Sequence, residues 1–92
     1  MDKETFLREI GRADAFKRLD PDRADYWTGY QRGLQRAYHG ESYGTPEEHA
    51  LWLGANDNYG DNPIWRLRAE GYRDGLNGTP AHAPKHSNEE AF

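Results

Sequence analysis

The sequence feature that most constrains the fold is a short glycine motif that occurs twice. Gly29-Tyr30-Gln31-Arg32-Gly33-Leu34 is followed, 42 positions later, by Gly71-Tyr72-Arg73-Asp74-Gly75-Leu76. The dipeptides Asp20-Pro21 and Asn62-Pro63 are separated by the same 42 positions. Two features that share one offset favour a duplicated structural unit. We therefore expect a 42-residue duplication of a helical hairpin.

Three capping residues, each directly before a proline, mark the starts of helices. Asp20, Thr45 and Asn62 have side chains that accept hydrogen bonds from the free amides of a first helical turn, and proline is well tolerated at the next position. Glu48, three residues after Thr45, completes a capping box. With the glycines that follow each segment as stop signals, these starts predict helices at about 21–39, 46–54 and 63–77, after an earlier helix at 3–18.

The predicted fold is all-α, because no segment alternates polar and apolar residues as a strand does. We expect a small four-helix domain over residues 1–78, built from two helical hairpins, and a flexible tail over 79–92. Cysteine is absent, which excludes a disulfide framework and fits a cytoplasmic location. No apolar run reaches the ~18 residues of a membrane span, so we expect no membrane association.

Each glycine pair lies four residues apart inside a predicted helix. A glycine in a helix interior costs about 0.5–1 kcal/mol relative to alanine, so a packing gain should offset it. We expect two glycine-notched helices that pack closely against large rings; the alternative is that one notched face stays open as a groove for a partner. The predicted packing residues are Gly29, Tyr30, Gly33, Leu34, Trp52, Gly71, Tyr72, Gly75 and Leu76.

Residues that could carry out catalysis or bind a metal are scarce. The two serines lack a nucleophile-elbow setting, and no phosphate-binding loop or dinucleotide fingerprint is present. His82 and His86 have the i, i+4 spacing of metal ligands, but Pro80 and Pro84 argue against a helix there. We therefore expect a protein that is not an enzyme and has no cofactor and no metal site.

The charge is concentrated in one block. Residues 41–61 carry five acidic side chains and no Lys or Arg, a net charge of −5, whereas the whole chain has a net charge of −4. Such a block can attract a basic partner, or it can simply be a solvated face; both readings stay open. The candidate partner-binding residues are Glu41, Glu47, Glu48 and Asp57 with Arg32, Arg36 and Arg73.

The segment of residues 26–55 resembles the ribosome modulation factor family. The resemblance lies in Gly29-Tyr30-x-x-Gly33-Leu34, followed by Trp52-Leu53-Gly54 at a similar spacing. It implies two helices joined by a connector, and a role as a ribosome-associated regulator. The aligned connector is the most acidic part of this chain, whereas that family is basic, so direct binding to nucleic acid is left open.

Three functional hypotheses follow. The first is a binding protein of the ribosome modulation factor type, whose partner is a ribonucleoprotein. The second is an acidic inhibitor of phage or plasmid type, which occupies a protein surface meant for phosphates. The third is a self-associating module, in which the notched helices of two chains pair to form a homo-oligomer; such close pairing is best known in membranes.

Overall fold

The computed structural model describes residues 1–54 and 62–81, and within them all regular structure is helical. The all-α, four-helix prediction is confirmed. The helices are α1 (Lys3–Leu19), α2 (Ala24–His39), α3 (Pro46–Leu53) and α4 (Pro63–Leu76). Short 3-10 turns precede α2 at Pro21–Arg23 and follow it at Gly40–Ser42.

The capping residues set most of the helix starts. Thr45 and Glu48 form both hydrogen bonds of the capping box at the start of α3, and Asn62 accepts from the first amides of α4. Asp20 behaves differently, because its side chain makes no capping hydrogen bond and its own amide donates to the carbonyl of Phe16 at 2.8 Å. Asp20 therefore ends α1, and the helix predicted from residue 21 begins at Ala24 after a 3-10 turn.

Helices α1 and α2 form an antiparallel hairpin held by aromatic side chains. The ring of Phe6 stacks on that of Tyr38 with centroids 4.3 Å apart, and at the other end Phe16 stacks on Trp27 at 5.1 Å. The residue numbers on α2 fall as those on α1 rise, which defines the antiparallel direction. Ala13, between these contacts, is fully buried.

Helices α3 and α4 form a second, shorter hairpin. Trp52 contacts Trp65 near the start of α4, with ring centroids 5.5 Å apart. His49, one turn earlier on α3, lies against Tyr72, two turns further along α4. These two helices are therefore also antiparallel, although α3 has 8 residues where α1 has 17.

The two hairpins meet through α2 and α4. A Cβ atom at any of four glycines would overlap a main-chain carbonyl oxygen of the opposite helix, the pairs being Gly29 with Arg68, Gly33 with Tyr72, Gly71 with Tyr26 and Gly75 with Tyr30. Residue numbers rise together along both helices, so α2 and α4 are parallel.

These contacts are reciprocal under the 42-residue offset. The partner of Gly29 is Arg68, which corresponds to Tyr26, and Tyr26 is itself the partner of Gly71. Contacts that exchange in this way define an approximate two-fold axis along the α2–α4 seam. The structure thus relates the two hairpins as the predicted duplication requires.

The packed domain extends past the predicted boundary at residue 78. Thr79, Pro80 and Ala81 lie across the α1–α2 hairpin, and the side chain of Ala81 joins the core cluster. The predicted tail therefore starts at least three residues too early, because hydrogen bonds to main-chain atoms hold this segment without any apolar periodicity. The remainder of the tail, 82–92, lies outside the described residues.

Candidate binding surfaces

The glycine-notched faces of α2 and α4 are closed against each other. Gly29, Gly33, Gly71 and Gly75 are all buried, and the Tyr30 side chain between them is 1% exposed. Neither notch is an open groove, and neither face is free to pair with a second chain while the fold is intact. Of the predicted packing residues, only Leu76 is not fully buried.

Arg32 is held between aromatic rings. Its guanidinium carbon lies 4.8 Å from the ring centroid of Trp52 and 5.6 Å from that of Tyr43, and one terminal nitrogen is 3.8 Å from a carboxylate oxygen of Glu48. The side chain is 31% exposed. Cation–π contacts of this kind are worth about 0.5–1 kcal/mol at exposed sites and more when desolvated. Arg32 thus ties α2 to α3 and its preceding loop.

Two other predicted contact arginines also bond to the chain itself. Arg36 donates to the carbonyl of Tyr43 at 3.3 Å, and Arg73 donates to the carbonyl of Leu53 at 3.1 Å. Both are half-buried. The prediction that Arg32, Arg36 and Arg73 are exposed partner contacts is therefore corrected: they hold the segment that contains α3 against α2 and α4.

A small cavity lies beside Arg32. It is also lined by Tyr43, His49 and Tyr72, and its volume of about 10 Å³ is enough for one water molecule. His49 Nδ1 is 2.6 Å from the Tyr72 hydroxyl oxygen. Burial, with a smaller effect of Arg36, lowers the pKa of His49, so the neutral imidazole is favoured. A cavity of this size is far below the ~300 Å³ of a small-molecule site.

The predicted acidic contacts have different environments. Glu41 and Glu47 are exposed. Glu48 is exposed too, but one of its carboxylate oxygens accepts the Thr45 amide at 3.2 Å in the capping box. Asp57 lies outside the described residues. Two of the four predicted carboxylates therefore form an acidic edge at the start of α3.

The outer face of α1 is the largest surface that sequence reasoning did not single out. The helix carries a net charge of +2, and its exposed basic residues are Lys3, Arg8, Arg12 and Arg18. Leu7 is 55% exposed on this face. Gly11, four residues later, has nothing within 4 Å of the position of a Cβ atom. The basic side chains surround an apolar residue and a bare stretch of backbone.

A buried carboxylate holds the segment that follows α4. Glu9 is 5% exposed, and its Oε1 accepts the amide of Ala81 at 2.7 Å. Arg12 donates to the carbonyl of Ala81 at 2.8 Å, and the Tyr30 hydroxyl donates to the carbonyl of Thr79 at 2.5 Å. The sequence held a signal for this site, because Glu9 falls on the same helical face as the apolar Phe6 and Ala13.

No group of three or more His, Cys, Asp or Glu side chains that could hold a metal ion occurs in residues 1–54 and 62–81. None of the helices described is long and apolar enough to cross a membrane. Comparison of the chain with protein-family models, with curated proteins and with solved structures finds no match.

Proposed function

We propose that this chain is a small non-catalytic binding protein whose partner is a ribonucleoprotein, and that it binds through the outer face of α1. The observation that carries the proposal is the combination of exposed basic side chains with Leu7 and Gly11 on one helical face. Lys and Arg provide the sequence-independent attraction to phosphates. The exposed leucine provides apolar contact area that water-exposed surfaces otherwise leave unused.

Gly11 adds a separate reason to place the contact on this face. A glycine in the middle of an exposed helix costs about 0.5–1 kcal/mol relative to alanine. The four buried glycines of α2 and α4 offset that cost by close packing inside the chain, whereas Gly11 meets no part of the chain. A partner whose backbone approaches α1 closely supplies the missing contact.

The resemblance to the ribosome modulation factor family points to the same class of partner. The motif residues that carry the resemblance, such as Gly33 and Trp52, lie in the interior and act in packing. They support a similar scaffold, and the surface chemistry of α1 supplies the basic character that the connector of this chain lacks.

An affinity pulldown from bacterial lysate, analysed by mass spectrometry with and without nuclease, tests the proposal. We expect ribosomal proteins to be captured, and to be lost when the RNA is digested. Arg18→Glu should reduce this capture, whereas Arg66→Glu on α4, a matched exposed charge reversal, should not. Capture that is equal for wild type and Arg18→Glu would contradict the placement of the contact on α1.

A second candidate is the acidic inhibitor, which the exposure of Glu41 and Glu47 favours. In that case the pulldown returns a nucleic-acid-binding protein whose capture resists nuclease. Glu41→Lys with Glu47→Lys should then abolish capture, while Arg18→Glu leaves it unchanged. The two candidates therefore give opposite results with the same set of variants.

A further inference from the structure

The segment of Thr79, Pro80 and Ala81 is held mainly by its main-chain atoms. The Ala81 amide donates to Glu9, the Ala81 carbonyl accepts from Arg12, and the Thr79 carbonyl accepts from Tyr30. A charged group that is 5% exposed is costly to bury unless it is paired, and the amide of Ala81 is one of its partners. Glu9, Arg12 and Tyr30 therefore form a built site that recognises peptide backbone.

One side chain of the segment enters the core. Ala81 is 1% exposed and packs within the cluster that contains Phe6, Ala13 and Tyr30. Pro80, by contrast, is exposed. The site thus requires a small residue at the position of Ala81, with a free amide for Glu9, and places little demand on the residue before it.

We propose that Glu9, Arg12 and Tyr30 line a binding cleft for an extended peptide of a partner protein, which the chain's own residues 79–81 occupy in the absence of that partner. The peptide presents a small side chain, alanine in the chain's own segment, and main-chain groups in the same order as Thr79, Pro80 and Ala81. Proline before the small residue favours the extended backbone that the cleft holds. The cleft is independent of the proposed ribonucleoprotein contact, because it reads peptide backbone rather than phosphate.

Occupation by the chain's own segment keeps the cleft closed to weak competitors. A segment that is covalently attached through a short connection has an effective concentration in the millimolar range. A free peptide must exceed that concentration, or bind more tightly, before it displaces residues 79–81. Releasing the segment should therefore reveal binding that the unmodified chain hides.

The test uses the full chain with Ala81→Arg, since an arginine cannot enter the space that Ala81 fills. The probe is a fluorescent synthetic peptide of residues 77–83, measured by polarisation against wild type and variant. We expect the variant to bind at least about tenfold more tightly than wild type, because the competing segment is displaced. Two matched peptides are controls: one with leucine at position 81, and one with an N-methyl group on the Ala81 amide.

Both control peptides should bind Ala81→Arg about tenfold more weakly or worse, the first because leucine does not fit and the second because Glu9 loses its donor. A folded Ala81→Arg chain that fails to bind the probe, or that binds all three peptides equally, would overturn the proposal. Circular dichroism establishes folding. Where Ala81→Arg does not fold, Pro80→Gly decides: it loosens the segment without added bulk, so tighter probe binding than wild type supports the cleft and unchanged binding refutes it.

Discussion

Gly33 on α2 lies directly against the main-chain carbonyl of Tyr72 on α4, at a separation that leaves no room for a Cβ atom. The equivalent glycine on α4, Gly75, lies in the same way against the carbonyl of Tyr30. Backbones this close bring Cα hydrogens against carbonyl oxygens and enclose the neighbouring rings. The seam between the two hairpins therefore depends on bare backbone rather than on interlocking side chains.

Gly33→Ala should destabilise the fold by about 1–3 kcal/mol, because the added methyl group forces the two backbones apart. Gly75→Ala should have a similar effect, since the two glycines occupy equivalent positions across the approximate two-fold axis. Urea unfolding followed by circular dichroism measures both changes.

Gly11→Ala is the matched control for these variants. It is also a helix-interior glycine, but the position of its Cβ atom is open, so we expect stabilisation by about 0.5–1 kcal/mol. A Gly33→Ala chain as stable as Gly11→Ala would show that α2 and α4 do not approach as closely as described.

Arg32→Ala should lower the free energy of unfolding by about 1–2 kcal/mol, because Trp52 and Tyr43 lose the guanidinium packed against them. Arg66→Ala, at an exposed position on α4, should change it by less than about 0.5 kcal/mol. Thermal and urea unfolding of the two variants provide the comparison. Equal effects would return Arg32 to the role of a free surface residue.

The helices and the glycine seam could be predicted because their signals are local. Thr45 with Glu48 caps α3 through neighbours in the chain, and the repeat of Gly29 and Gly33 at 71 and 75 needs only the printed sequence. Arg32 could not be placed correctly, because a partly buried arginine and a solvated one have the same sequence signature. Its position depends on where Trp52 lies after folding.

The segment after α4 was missed for a related reason. Residues 79–81 are held through main-chain atoms, and their partners Glu9 and Arg12 are about seventy positions away in the chain. No pattern of side chains within the segment reports such contacts. The carboxylate on the apolar face of α1 was the visible clue, because a charge among buried positions requires a partner.

Stability should fall as the pH drops through about 6.5, in part because of His49. Burial lowers its folded-state pKa, so its contribution is fully present above the ordinary pKa and is lost as protonation of the unfolded chain begins below it. His49→Gln should show a shallower decline over the same range, measured by urea unfolding at a series of pH values. Identical pH profiles for the two chains would contradict the assignment.

Alkaline conditions should also unfold the protein, for the opposite reason. Burial raises the pKa of Tyr26, Tyr30 and Tyr72, and the Asp74 carboxylate, which accepts the Tyr26 hydroxyl at 2.5 Å, adds to the effect on Tyr26. Stability is fully present below the unfolded-state pKa of about 10 and is lost as the pH rises above it. Phenolate absorbance and circular dichroism should therefore change together, and Tyr26→Phe should weaken the dependence. Ionisation of all tyrosines without unfolding would contradict this expectation.

The proposed function depends most directly on the outer face of α1, and co-sedimentation with purified ribosomes tests it. The variant of choice is Gly11→Leu, because its side chain enters open space and leaves the fold intact while it blocks close approach. We predict that the wild type and Arg66→Glu migrate with the ribosomes, and that Gly11→Leu and Arg18→Glu stay at the top of the gradient. A wild-type chain that never leaves the top, or a Gly11→Leu chain that sediments as the wild type does, would contradict the account.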